Sequence, residues 1–128
     1  MRVTILGSGG STGVPAVGIG WGKCDPDNPK NRRSRPSILV ENGNDSVLVD
    51  SSPDMREQML RHDITAIDAL LLTHAHADHL HGIDEIRGLN KAMSAPIDLY
   101  TDSATMGEVE KRFGYTLEPL HVDQDDPE

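Results

Sequence analysis

The feature that most constrains this chain is an apolar run followed directly by a cluster of histidines. The run occupies residues 69–73 (Ala-Leu-Leu-Leu-Thr), and its length and unbroken apolar character predict a β-strand buried on both faces. Four of the six histidines of the chain lie within the next eight positions. We therefore expect these histidines to lie together where the buried strand ends.

The spacing His-x-His-x-Asp-His over residues 74–79 predicts a metal site. In an extended segment, side chains two residues apart point the same way, so His74 and His76 can share one ion. Asp78 and His79 follow where the chain must turn toward a helix, which allows them to reach a second ion. Imidazole nitrogens and a carboxylate suit zinc or a similar transition metal. The alternative is a solvated His-rich loop, but the buried strand before the motif and the alanine spacers within it favour a metal site.

The other histidines give weaker signals. His81 lies outside the ligand spacing, and we interpret it as a surface residue or as a neighbour of the ligands. His62 and His121 are isolated in the sequence, and we interpret both as surface residues.

Size and composition restrict the class of protein. A chain of 128 residues can build one domain with a single core. Its net charge of −9 disfavours nucleic acid as a partner, because a phosphate backbone would be repelled. The single cysteine, Cys24, excludes an intrachain disulfide and favours a reducing compartment. With no signal-peptide pattern and no membrane-spanning run, we expect a cytoplasmic protein that has no membrane partner.

The first half of the chain predicts a short strand, a long irregular segment, a hairpin and a helix. The strand covers residues 3–6, and the irregular segment covers residues 18–37. Two β-branched runs, at 37–41 and 46–50, flank Asn42-Gly43-Asn44-Asp45, which is a strong hairpin signal. The helix is expected to begin at Ser52-Pro53, to bury Met55, Met59 and Leu60, and to end near His62.

The second half alternates helices and strands. After the histidines we expect a helix at 82–89, a strand at 97–100, and a helix marked by Met106, Val109 and Phe113 that closes at Gly114. The predicted fold class is α/β, with a mixed β-sheet and helices on its outer face. One domain is expected over residues 1–117, followed by an acidic, mobile tail over residues 118–128.

Two loops near the N-terminus carry further candidate residues. The glycine-rich loop at 7–15 lacks the third glycine of a dinucleotide fingerprint and the Gly-Lys pair of a P-loop, so it is a turn or a lining of the metal cleft. A basic cluster of Lys30, Arg32, Arg33 and Arg35 follows it. Guanidinium groups bind phosphate oxygens, which makes Arg32 and Arg33 candidates for substrate binding. A solvated loop explains the same cluster equally well.

The motif at 74–82 resembles the metal-binding signature of the metallo-β-lactamase fold superfamily. The segments 6–15, 31–37 and 47–50 are similar to the branch that contains the phosphoribosyl cyclic phosphate phosphodiesterase of carbon-phosphorus lyase pathways, near tRNA 3′-processing ribonuclease Z. The resemblance covers residues 1–117. It implies the N-terminal half of an αββα sandwich of two sheets, with a dinuclear metal centre at one edge.

The resemblance also implies a role for each motif residue. His74 and His76 would bind the first ion, and Asp78 and His79 the second, with Asp78 also counted as catalytic. Asp50 would brace the metal loop without touching the ions, although a strand-end residue that caps the next turn is an equal alternative. Two divalent ions, zinc or manganese, would hold a hydroxide that attacks small cyclic or nucleotide phosphodiesters.

Two departures from the family pattern limit this expectation. Ile19, Trp21 and Cys24 stand where the phosphodiesterase branch has a cysteine cluster for a structural zinc. The second half of the family fold, with its further metal ligands, is not seen in the sequence. We therefore expect a weakly active chain that forms a homo-oligomer or takes a completing chain. Two alternatives stay open, namely a tRNA 3′-processing ribonuclease and a non-catalytic metal-binding or interaction module.

Overall fold

The computed structural model describes residues 1–119, so most of the predicted acidic tail, residues 120–128, lies outside the described part. The elements of the described part are β1 (Arg2–Gly7), β2 (Ser37–Asn42), β3 (Asp45–Val49), α1 (Met55–Arg61), β4 (Ala69–Leu71), α2 (Ala77–Leu80), α3 (Ile86–Met93), β5 (Asp98–Tyr100) and α4 (Ser103–Phe113). Short 3₁₀ turns lie at Pro29–Asn31, Ile83–Glu85 and Gly114–Leu117.

The strands form one mixed sheet in the order β1-β2-β3-β4-β5. The pairs β1/β2 and β2/β3 are antiparallel, whereas β3/β4 and β4/β5 are parallel. Each parallel connection contains a helix, because parallel neighbours need a crossover that returns the chain to the starting edge. The predicted α/β class with a mixed sheet is confirmed.

The hairpin forms where the sequence places it. Asn42 pairs with Asp45, so the turn consists of Gly43 and Asn44 alone. Gly43 has φ 65°, a backbone conformation that glycine adopts without steric cost and that two-residue hairpin turns require. This turn fixes the register that sets Ile38 opposite Val49.

One face of the sheet carries the core. Leu39, Leu48 and Leu70 point into it, and each helix adds at least one buried apolar side chain to the same cluster. The helical contributors are Met55, Met59, Leu80, Leu89 and Val109. Full burial of such a side chain stabilises the fold by about 1.5–3 kcal/mol, so this layer of helices holds the sheet in place.

The other face of the sheet is left open by residues 1–119. Val3 and Ile5 on β1 are 53% and 64% exposed. The predicted strand at 69–73 is therefore wrong in one respect, since Leu71 is 38% exposed rather than buried. The strand also ends at Leu71, two residues earlier than predicted.

The first helix begins later than predicted, and it buries Met55 and Met59 as expected but not Leu60. Ser52 Oγ accepts a hydrogen bond from Asp54 N at 3.1 Å, which caps the turn that leads into α1. Leu60 was expected inside but is 60% exposed, whereas Gln58 is fully buried. The amide of Gln58 is hydrogen-bonded to Ser34, Arg35 and Ser52, and these bonds offset the cost of burying a polar group.

The later elements follow the prediction with shifted bounds. The expected helix at 82–89 consists of the 3₁₀ turn and α3, and it ends in a left-handed residue, Ser94. The irregular segment holds no strand or α-helix, and it is closed by backbone bonds such as Gly9 N to Ser34 O at 2.8 Å. Within residues 1–119, no helix has the length and apolar character needed to cross a membrane.

Candidate metal centre

The histidine motif lies between β4 and the helix layer. β4 ends at Leu71, residues 72–76 run without regular structure, and the one-turn helix α2 begins at Ala77. This helix was not predicted. Because it starts after His76, Asp78 and His79 leave the backbone in a different direction from the first two histidines.

His74 and His76 are close enough to share an ion. Nε2 of His74 lies 3.1 Å from Nδ1 of His76, and the two rings meet edge to face at 76°. Two nitrogens bound to one tetrahedral zinc at about 2.0–2.1 Å stand about 3.3 Å apart. The observed separation therefore fits two ligands of one ion.

Asp78 and His79 form a second pair beside the first. Nε2 of His79 lies 3.3 Å from Oδ2 of Asp78, and both side chains are less than 20% exposed. The ring centroids of His74 and His79 are 4.1 Å apart. The two pairs are thus adjacent, as two neighbouring ions would require.

Asp50 directly follows β3. It contacts His79 of the second pair and Thr73, the residue before the first pair. Its carboxylate is 7% exposed and lies 2.7 Å from Nδ1 of His79. It also accepts hydrogen bonds from the backbone N–H and the hydroxyl of Thr73, at 2.8 and 2.9 Å. A carboxylate beside Nδ1 favours the tautomer with a proton there, which leaves Nε2 of His79 with a free lone pair.

Thr73 extends the same arrangement to the first pair. Its hydroxyl donates to Asp50 and lies 2.9 Å from Nδ1 of His74, so it accepts the proton that His74 carries on that nitrogen. Nε2 of His74 then faces His76 with its lone pair. The sequence prediction did not single out Thr73, and its only signal was its place directly before the motif.

Backbone bonds fix α2 against the loop that follows β3. Ser51 N donates to His79 O at 2.8 Å, and Gly82 N donates to Ser51 O at 2.9 Å. A Cβ on Gly82 would collide with the carbonyl group of Ser52. Glycine is therefore required here for the close approach of the two segments.

The loop that carries the basic cluster, residues 30–35 (the arginine loop), places its arginines on partners outside the motif. Arg32 stacks over Trp21 at 5.3 Å, and Arg33 donates to Ser8 Oγ at 3.3 Å. Arg35 forms a bidentate pair with Asp54, whose hydrogen bonds are the main reason that the pKa of the guanidinium is raised. The negative charge of Asp78 makes a smaller contribution to the raised pKa of Arg35.

The remaining histidines lie outside both pairs. His81 is exposed, and its ring packs against Phe113 at 5.4 Å. His62 is exposed at the end of α1, and His121 lies outside the described residues. A cleft of about 450 Å³ at the hairpin end of the sheet is lined by Arg2, Glu41 and His62, among others, and by no residue of the motif.

The described residues fit the donor chemistry of zinc, although they do not complete its coordination. Among residues 1–119, no group of three or more His, Cys, Asp or Glu side chains could hold an ion. Each pair supplies two ligands, whereas protein zinc sites have three or four. Further ligands would have to come from outside this part of the chain.

The mixed sheet, the helix layer on one face and the histidine-aspartate cluster at its edge define a protein of the metallo-β-lactamase fold. The chain belongs to the β-lactamase superfamily, because residues 45–127 match the sequence profile of the β-lactamase superfamily domain.

Two solved structures superpose on this chain. A diphosphatase of the PhnP family superposes with a TM-score of 0.81 and 40% identity, over 90% of this chain and 47% of that one. The Zn²⁺-bound PqqB of Methylobacterium extorquens superposes with a TM-score of 0.67 and 26% identity, over 88% of this chain and 40% of that one.

Curated relatives are much longer than this chain. An octanoyltransferase of Porphyromonas gingivalis is 36% identical over 91% of this chain and 24% of its own length. A ribonuclease Z of Haloarcula marismortui is 30% identical over 87% of this chain and 32% of its own length. The chain thus spans about a quarter to a third of these relatives.

Proposed function

We propose that this chain carries the metal-binding motif of a hydrolase that cleaves phosphodiester bonds in small cyclic or nucleotide substrates. The proposal rests on two neighbouring pairs of side chains. His74 lies beside His76, and Asp78 lies beside His79, each pair at the separation expected of two ligands of one ion. The 40% identity to a diphosphatase of the PhnP family supports chemistry at phosphorus.

Side chains next to the motif orient its histidine rings in the absence of substrate. The contact with Asp50 favours a proton on Nδ1 of His79, and the contact with Thr73 favours one on Nδ1 of His74. Both rings would then present Nε2 to an ion. Asp78 supplies a mostly buried negative charge. Two divalent ions, zinc or manganese, would be held here, and they would supply Lewis-acid activation of water and neutralisation of charge on phosphorus.

We also propose that the 128-residue chain by itself has low hydrolytic activity. Two ligands per ion bind metal less tightly than the usual three or four, since each missing ligand removes binding free energy. We therefore expect slow hydrolysis of bis(p-nitrophenyl) phosphate that depends on added metal. Rapid hydrolysis by a monomer would contradict the need for further ligands.

Metal content per chain tests the proposal directly. We expect native mass spectrometry to show zinc on the unaltered chain, and less zinc on a His74→Ala, His76→Ala variant. His62→Ala, an exposed histidine outside both pairs, is the matched control and should bind as the unaltered chain does. The absence of zinc from the unaltered chain, or equal zinc on the double variant, would refute the metal site.

A second candidate function is processing of tRNA 3′ ends. It is favoured by the 30% identity to a ribonuclease Z over 87% of this chain. The net charge of −9 opposes it, because binding to RNA needs a basic surface. Salt-dependent binding of a precursor tRNA would favour this candidate over the small phosphodiester.

We also propose that Arg32 and Arg33 bind the substrate phosphate. Within residues 1–119, the guanidinium of Arg32 lies over the ring of Trp21 and that of Arg33 donates to the hydroxyl of Ser8. Both contacts are weak, so each side chain can reorient toward an anion. An Arg32→Ala, Arg33→Ala variant should raise KM for the phosphodiester while kcat changes little. An unchanged KM would remove this role.

A further inference from the structure

The helix α4 contacts the histidine motif through Arg112, in addition to the ring of Phe113 that packs on His81. Its NH2 group donates to the carbonyl oxygen of Ala75 at 2.8 Å, and its NH1 group lies 3.2 Å from Nε2 of His81. Its Nε nitrogen lies 3.1 Å from a carboxylate oxygen of Glu108. All three guanidinium nitrogens are thus engaged, which fixes the side chain between the helix and the loop.

The contact with Ala75 falls at the centre of the first ligand pair. Ala75 is the residue between His74 and His76, so its carbonyl orientation is coupled to the directions of both rings. The helix that holds Arg112 is itself anchored, because Thr105 and Val109 on α4 are buried. The loop is therefore tied to a packed element at the peptide group that joins Ala75 to His76.

We propose that Arg112 is a positioning residue that holds His74 and His76 at the separation of two ligands of one ion. The inference rests on the proposed metal-dependent function and extends it to a residue on a different element. Since Arg112 binds the backbone between the ligands and not the ligands themselves, it acts on their geometry.

The positive charge of Arg112, taken alone, predicts a change in zinc affinity opposite to the one that the positioning role predicts. A cation beside a site for dications weakens metal binding by Coulomb repulsion, so its removal would increase zinc affinity. Positioning predicts a decrease in affinity when the side chain is removed. The sign of the change therefore separates the two effects.

Zinc affinity, measured by competition with a chromophoric chelator, tests the proposal. We expect Arg112→Ala to raise the zinc Kd about tenfold or more, as loss of a group that orients metal ligands does. Arg112→Lys keeps the charge but not the planar fork, so it should not restore the affinity. Lys111→Ala removes an exposed cation from the neighbouring position and should leave the Kd unchanged.

Hydrogen exchange of the metal-free proteins gives a second readout. The amides of His79, Leu80 and His81 donate within α2, to the carbonyl groups of His76 and Ala77. They should exchange faster in Arg112→Ala than in Lys111→Ala, because the loop before α2 is released.

Each outcome decides the proposal. Unchanged or tighter zinc binding by Arg112→Ala, or full affinity in Arg112→Lys, would overturn the positioning role, even if exchange becomes faster. Failure of the unaltered chain to bind zinc would overturn the proposed function and this role together. Weaker binding with faster exchange, confined to the Arg112 variants, would support it.

Discussion

Asp50 combines an unusual backbone conformation with a carboxylate that makes four polar contacts within residues 1–119. Its φ of 63° lies in the left-handed region, where aspartate and asparagine are better tolerated than most other residues. This conformation turns the chain directly after β3 and points the carboxylate at Thr73 and His79. Of the two interpretations left open by the sequence, the contacts with the motif favour a bracing role over a simple cap.

Replacement of Asp50 by asparagine isolates the role of its charge. Asp50→Asn retains the size of the side chain and tolerates the same φ, but it weakens the acceptor that faces Nδ1 of His79. We expect the zinc Kd to rise about tenfold or more in a chelator competition.

Asp68→Asn is the matched control for this experiment. Asp68 also accepts hydrogen bonds from a backbone N–H and a hydroxyl, both of Ser46, but it lies at the start of β4 and away from the motif. An equal loss of zinc affinity in both variants would indicate a general effect on the sheet and contradict the bracing role.

At the residue scale, the sequence spacing predicted the two side-chain pairs of the motif but not the residues that hold them in position. The His-x-His-x-Asp-His pattern placed four side chains that the structure brings together. Thr73 and Arg112 could not be found in this way, because their contacts depend on how β4 and α4 pack against the motif. Gln58 was missed for a similar reason, since its burial depends on partners in the arginine loop.

The first helix and the arginine loop are joined by an ion pair. Arg35 donates to Asp54 through Nε, NH2 and its backbone nitrogen, at 2.7–2.9 Å. These hydrogen bonds hold the pKa of the Asp54 carboxyl below its ordinary value. The pair ties the irregular segment to the start of α1.

The lowered pKa of Asp54 gives a pH-dependent prediction. The pair contributes stability above the ordinary carboxyl pKa of about 4, and this contribution is lost as the pH falls through the lowered value. Asp54→Asn should reduce the free energy of unfolding by about 1 kcal/mol at neutral pH, at the low end for charged hydrogen bonds because the pair is partly exposed.

Urea unfolding at a series of pH values checks this prediction. The difference between the unaltered chain and Asp54→Asn should shrink as the pH falls below about 4. Glu41→Gln breaks the more exposed Arg2–Glu41 pair and should cost less stability. A difference for Asp54→Asn that does not depend on pH would contradict the role of its charge.

The contact between Gly82 and the segment after β3 gives a prediction about packing. Gly82→Ala should destabilise the fold by about 3 kcal/mol, because the added methyl group would have to displace the backbone of Ser52. Gly88→Ala is the control, since a Cβ there meets open space within α3. It should stabilise the fold by about 0.5–1 kcal/mol. Thermal unfolding of both variants separates the two effects, and equal shifts would contradict the close contact.

At the element scale, the elements with a clear period or turn signal were predicted. The hairpin, β5 and α4 follow local patterns, so they appear within a few residues of their expected bounds. α2 consists of one alanine, one leucine and the polar pair Asp78 and His79, and such a short segment has no apolar period to detect. Its formation depends on the bonds from Ser51 and Gly82.

At the scale of the whole molecule, the open face of the sheet carries a row of apolar side chains. Val3 pairs with Val40 and Ile5 with Ile38, and the apolar stripe continues through Val49. A continuous apolar surface of this kind is rare on a monomer. We propose that the 128-residue chain associates through this face, either with itself or with a completing chain.

Sedimentation velocity tests this proposal. The unaltered chain should sediment above the mass of a monomer, and Val3→Thr, Ile5→Thr should shift it toward the monomer. Threonine keeps the β-branched shape that favours strands, so the sheet should persist. Val17→Thr, Ile19→Thr removes apolar surface from the irregular segment and should not change the mass. A monomeric unaltered chain would contradict self-association and leave a completing chain as the partner for this face.

The fold class could be predicted because strands and helices alternate along the sequence. The resemblance implied a sandwich of two sheets, and residues 1–119 form one of them. The exposure of Leu71 was missed because a continuous apolar run gives no information on which face is covered.

The order of the strands in space is the order of their synthesis. Each strand pairs with the strand that precedes it in the sequence, so it can join the sheet as soon as it leaves the ribosome. The edge strand β5 and the helix after it complete the layer last. The sheet of residues 1–119 can therefore assemble vectorially during translation, from the hairpin outward.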